Sequence, residues 1–142
     1  MPRPRILVSP SKSILPSAFL LLFERVCKID ETAEDIFRKA TEIRGLEYDD
    51  FVKSVFFGAE ENDKIIEELW EKHTQGWRKE RISPVSKAII RLSSYEMMFM
   101  PDVPHRVSIN EAVELSKKYD DEKAYSFVNG VLNGISKDLS EQ

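Results

Sequence analysis

Cysteine is nearly absent from this 142-residue chain, and histidine is almost as scarce. The single Cys27 excludes an internal disulfide and any all-cysteine metal site. It reads instead as a small buried apolar side chain. His73 and His105 stand far apart, and neither falls in a Glu-x-x-His or His-x-x-x-His spacing that would set two ligands on one helical face. No metal site follows from them. The glycines form no phosphate-cradling loop, and no nucleophile stands beside a base, so no catalytic residue and no cofactor are assigned. Long apolar runs are missing too. Ala18 to Phe23 is closed at once by Glu24 and Arg25, well short of the roughly 18 residues a membrane span needs. The opening Met1-Pro-Arg-Pro-Arg-Ile-Leu-Val has too few apolar residues for a secretory signal. A cytoplasmic protein without membrane contact is expected.

What is present is ordinary for a globular chain: 42% apolar residues, 32% charged and a net charge of -4. That length suits one domain. The charge is unevenly spread, with a basic stretch over 1–28, a strongly acidic one over 29–76 and balance thereafter. A net-acidic chain lacks the general basic field of a non-specific nucleic-acid binder, although local RNA contact is still open to it. The run Glu60, Glu61, Asp63, Glu67, Glu68 and Glu71 reads as a solvated helical face.

Apolar residues recur at spacings of three and four between clusters of proline, which predicts an all-α fold, a compact bundle of six or seven helices. A first helix is expected over Ser17 to Lys28. A second is capped by Asp30 or Thr32, turns Ile36, Phe37, Ala40 and Ile43 inward, and stops at Gly45. A third stretch starts near Tyr48-Asp49-Asp50 and runs to about Lys72 on Phe51, Val55, Ala59, Ile65, Ile66, Leu69 and Trp70, broken at Gly58. Ser83 and Pro84 open a fourth helix with Val85, Ala88, Ile89, Leu92, Tyr95 and Phe99 facing inward, ended by Pro101 and Pro104. Ser108-Ile-Asn-Glu111 reads as a capping box, with Val107 and Ala112 as a hydrophobic staple, for a helix reaching Tyr119. The last helix, Asp121 to Leu139, buries Ala124, Phe127, Val128, Val131, Leu132 and Ile135. Asn129-Gly130 is a hairpin cue elsewhere. Here the helical period passes through it, so Gly130 is expected where another backbone comes close. Glu96 falls on an inward stripe and needs a polar clasp, from a helix end or an arginine.

Several motifs together resemble one family: Arg91-Leu-Ser-Ser-Tyr-Glu96, Val103 through Ser108-Ile-Asn-Glu111 to Leu115, Lys117-Lys-Tyr119 and Phe127-Val-Asn-Gly-Val-Leu132. They are similar to the NusB family of bacterial transcription antitermination factors. The likeness spans roughly Ala18 to Leu139 and is dense from Trp77 onward. It implies two small helical sub-bundles, binding to boxA-type single-stranded RNA of ribosomal RNA transcripts, and a small-subunit ribosomal protein, NusE, as partner. The pair would join the transcription complex on RNA polymerase. The resemblance also allows a homodimer formed through the RNA-binding surface. A related module precedes some RNA methyltransferases, but the stand-alone factor is the expected match for a chain of this length.

Carried onto this sequence, the resemblance implies an RNA face of Lys12, Lys117, Lys118, Lys123 and Phe127. Lysines interleaved with rings also suit unpaired RNA on general grounds, while core packing is the competing role of Phe127. The implied partner face is Phe23, Ser86, Lys87, Ile90 and Arg91. There are departures. The family's arginine-rich first helix is replaced by Ser9-Pro-Ser-Lys-Ser-Ile-Leu-Pro-Ser17, which leaves Lys12 with Arg3 and Arg5 further out. Residues 1–16 thus read as an atypical, disordered segment before a single all-helical RNA- and protein-binding domain, 17–142. Ser86 stands where an acid is common, and Ser126 where lysine often precedes Phe-Val-Asn-Gly. The alternative reading is a helical protein-interaction adaptor without significant RNA binding.

Overall fold

The computed structural model of the chain describes residues 15–140. Among the described residues there are seven α-helices and no strand: α1 (Leu15–Cys27), α2 (Ala33–Arg38), α3 (Asp50–Glu61), α4 (Asp63–Glu71), α5 (Pro84–Phe99), α6 (His105–Tyr119) and α7 (Ala124–Ser140). The long segment expected up to Lys72 is indeed two helices, but the break falls at Asn62 rather than Gly58.

Helix α5 organises the rest. It packs on α1, α3 and α4 to one side and on α6 and α7 to the other, so the two sub-bundles share it. Being surrounded, it buries far more than one stripe: Ala88, Ile89, Ile90 and Leu92, but also Ser93, Ser94, Glu96 and Met97. Ser83 caps it as expected, accepting from the Ser86 N–H at 3.0 Å, with Pro84 in the first turn. The apolar period places most of the rest of the core correctly, including Phe51, Val55, Ala59, Ile66, Leu69 and Trp70, and Phe127, Val128, Val131, Leu132 and Ile135 on α7, while Ala124 at the start of α7 is only half-buried.

Several local expectations fail for identifiable reasons. Helix α1 starts at Leu15, two residues early, with Pro16 in its first turn, where a missing N–H costs nothing. Ile43 is 69% exposed because the chain after Arg38 makes a π-helical turn, Lys39–Ile43, closed by the Arg44 N–H on the Lys39 carbonyl. That extra residue per turn rotates position 43 off the inward stripe. Gly45 then ends the segment at φ 74°, as expected. Ile65 is half exposed and Phe99 lies at the bundle surface. Cys27 is exposed rather than buried, since it falls just past the last packed turn of α1.

The capping box does not form. Helix α6 begins a turn earlier, with Pro104 as cap, so Ser108 and Glu111 lie inside it, and Val107 packs against the core from within the helix. Ser108 instead faces Glu96 across the α5–α6 contact. No arginine among the described residues forms an ion pair with Glu96, and Ser108 is what meets it. Burial pushes its carboxyl up from 4.5 to about 8, the charge of Glu111 adds to this, and the Ser108 hydroxyl opposes it. Burial raises Glu111 as well. A carboxyl raised in the folded state favours the protonated form, so its stabilising contribution is complete below 4.5. It is lost as pH climbs through about 8. Unfolding free energies of the wild type from urea titration should therefore decline over that window relative to Glu96→Gln, by at most about 1.4 kcal/mol per pH unit. Parallel curves for the two proteins would show Glu96 to be ionised in the fold.

Gly130 is exposed, and a Cβ added there would meet nothing within 4 Å. The close approaches are at two other glycines. A Cβ on Gly58 would strike the phenol of Tyr95, and one on Gly134 the imidazole of His73. His73 is held in that notch by Asp138 at 2.7 Å, and His105 bonds Ser136 at 2.7 Å. Both histidines therefore fasten the C-terminal half of α7. No cluster of three metal-ligating side chains exists among the described residues.

Candidate nucleic-acid and partner interface

The corner where α6 turns into α7 gathers most of the cationic and aromatic residues singled out in the sequence. Lys117 and Lys118 occupy the last turn of α6, where cations complement the helix dipole. Both are exposed. The Lys117 Nζ lies 5.0 Å from the centre of the Tyr125 ring, and the Lys118 Nζ 5.3 Å from that of Tyr119. Lys123, also exposed, precedes α7. Of the acids between them, Asp120 and Asp121 are engaged within the corner, while Glu122 is exposed. Asp120 accepts from Ser83 at 2.5 Å and Ser86 at 2.9 Å, tying the start of α5 to this corner. Asp121 accepts from the N–H groups of Lys123 and Ala124 and so opens α7.

Phe127 is not the open ring the RNA face called for. It belongs to the core, only 8% exposed, because the inward period of α7 carries it toward α5. What covers it is Trp77, in the loop between α4 and α5, with ring centroids 4.6 Å apart and planes tilted by 58°. Trp77 itself is 56% exposed. Trp77, Phe127, Arg81 and Lys123 line one cleft of about 250 Å³. The sequence alone did not single out Trp77 as part of this corner. The available signal was a tryptophan outside any helical period, flanked by Arg78, Lys79 and Arg81. Lys12 lies outside the described residues.

The partner set is only partly brought together. Ser86 is 2% exposed and Ile90 fully buried, since both lie on faces of α5 that other elements cover. Lys87 and Arg91, one turn apart, share an outer stripe. They line a cleft with Arg25, Ile29, Asp63 and Trp70, in which Ile29 is 76% exposed. The buried indole N–H of Trp70 finds no hydrogen-bond partner among the described residues. Arg91 pairs with Asp63 at 2.7 Å, and Arg25 grips Glu60 through two hydrogen bonds. Two members of the acidic run thus bridge helices instead of facing only water. Phe23 is half-buried in a different cleft, beside Leu20, Cys27 and Leu46.

Such a fold and corner define a class: a compact helical protein that presents one exposed cationic and aromatic corner. Comparison with known proteins narrows it. The NusB family model matches residues 17–137, and the chain belongs to the NusB family. The transcription antitermination protein NusB of Bacillus licheniformis is 45% identical over 95 residues, 67% of this chain and 74% of that protein. That of Clostridium perfringens is 43% identical over 113 residues, 77% and 84% of the two chains. Among solved structures, T. maritima NusB superposes with a TM-score of 0.76 at 31% identity, covering 96% of this chain and 93% of the other. A complex of antitermination factors NusB and NusE with double-stranded RNA contains a chain with a TM-score of 0.74 at 30% identity, covering 86% of this chain and 92% of its own.

Proposed function

We propose that this protein is a transcription antitermination factor that binds boxA-type RNA of ribosomal RNA transcripts together with the small-subunit ribosomal protein NusE. It would act in the cytoplasm, as part of the complex on RNA polymerase. The observation that carries the RNA half of this reading is the α6–α7 corner, where Lys117, Lys118 and Lys123 sit exposed within seven residues of one another. Cations there meet phosphates, and nearby rings offer faces to bases. For the partner half, the cleft of Lys87, Arg91 and Ile29 supplies charge, an exposed apolar side chain and the unpaired Trp70 N–H. The solved NusB and NusE complex, with its RNA, supports pairing the two roles. No step of this reading calls for catalysis. A homodimer through the RNA-binding surface would compete with RNA for the same corner.

The test is a binding titration with boxA-like single-stranded RNA, its scrambled version and a duplex form, each with and without the ribosomal protein. Tighter binding of boxA than of scrambled RNA, strengthened by the partner, is the expected result. Equal binding of boxA and scrambled RNA with the partner present would refute it. Retention of the ribosomal protein with no measurable RNA would establish the adaptor reading instead.

A further inference from the structure

The cleft at Trp77 has a feature the lysines alone do not explain. A tryptophan more than half exposed is seated against a core ring, Phe127, with centroids 4.6 Å apart and planes tilted by 58°, so the indole has a packed support and still presents over half its surface to solvent. The neighbouring exposed rings differ. Tyr119 and Tyr125 are each covered by a lysine, whereas among the described residues no cation sits over Trp77. Arg81 and Lys123 line the same 250 Å³ cleft, together with Asp120 and Asp121, whose carboxylates are taken up by serine hydroxyls and by N–H groups at the start of α7. A solvent-facing π surface in a cleft shared with two cations is the chemistry that holds an unpaired base while its phosphates are neutralised.

Resting on the RNA-binding reading above, we propose that Trp77 is the platform on which one unpaired base of the bound RNA stacks. Arg81 and Lys123 meet the adjoining phosphates, and Phe127 is a positioning residue that holds the indole from behind. The base must be unpaired to reach the indole. Duplex RNA would engage the corner through its phosphates only, unless a base at an end or bulge is free.

The protein is its own reporter, because its other tryptophan, Trp70, is 3% exposed. Addition of single-stranded boxA-type RNA should quench the emission of the wild type, and the quench should vanish in Trp77→Phe, which keeps a stacking ring. Trp77→Leu keeps an apolar cover over Phe127 without a π face. It should bind the RNA about tenfold or more weakly, with its thermal midpoint and its affinity for the ribosomal protein unchanged. Wild-type RNA affinity in Trp77→Leu, or an indole emission untouched by bound RNA, would overturn the proposal. A loss confined to ribosomal-protein affinity would also overturn it and place Trp77 in a protein interface. Failure of the boxA reading is separable, since an unpaired homopolymer such as poly(U) quenches a stacking indole even where boxA and scrambled RNA bind alike.

Discussion

Gly134→Ala should destabilise the protein by about 1–3 kcal/mol although it adds one methyl group and improves helix propensity. The new carbon would lie on the His73 imidazole, close even to the ring atom nearest the His73 backbone, so the whole ring has to leave. Leaving breaks its 2.7 Å bond to Asp138 and loosens the end of α4 from α7. Gly58→Ala should act in the same direction but less strongly. The obstacle there is the outer part of Tyr95, a half-buried side chain that can swing away from Gly58 at the expense of its contact with Phe99, 5.1 Å between ring centres. Gly130→Ala is the internal control. With open space around it, the substitution should stabilise by up to about 1 kcal/mol, the ordinary helix preference for alanine. Urea midpoints of the three variants decide the matter. A Gly134→Ala protein as stable as the wild type would show that His73 does not fill the notch, and a destabilised Gly130→Ala would show that another backbone does approach there.

These glycines show how far a sequence can be read. Periodicity located the helices and most of their buried faces because a stripe of apolar residues is a local pattern. It could not say which of the two glycines on α7 meets a neighbour, since that depends on where α4 ends and how His73 is aimed. The same limit explains Ile43, displaced by a π turn that no residue type announces, and the capping-box residues Ser108 and Glu111, a turn inside a helix that Pro104 had already started. Asp49 and Thr32, by contrast, cap as their types suggest, accepting from Val52 and Asp35. The site was legible in its charge and illegible in its aromatic part. Lys117, Lys118 and Lys123 are exposed as expected, because long cations at a helix end have nowhere else to go. Phe127 carries the family motif yet faces the core, and the exposed ring is contributed by Trp77, fifty positions earlier and juxtaposed only by packing.

Replacing Lys117, Lys118 and Lys123 together by glutamine should weaken RNA binding uniformly across sequences and flatten its salt dependence. Each phosphate neutralised on a single strand contributes about 0.7 to the slope of log affinity against log salt, so three contacts account for roughly 2. The overall net charge of -4 does not oppose this. At physiological ionic strength exposed charges are largely screened beyond about 8 Å, so RNA at this corner responds to the cations beside it. Two of the three nearby acids are already engaged, Asp120 by two serine hydroxyls and Asp121 at the start of α7, which leaves the exposed Glu122 against three lysines. Glutamine keeps side-chain length, and substitutions at such exposed positions ordinarily change stability by no more than about 0.5 kcal/mol. An unaltered thermal midpoint and an unaltered affinity for the ribosomal protein are therefore expected alongside the weaker RNA binding. If the triple variant keeps the wild-type slope, the phosphates are met elsewhere and the α6–α7 corner is not the RNA face. If slope and affinity fall while boxA is still preferred over its scrambled form, the lysines set strength and the rings set choice. That division is the one expected where cations contact the backbone and an aromatic face contacts a base.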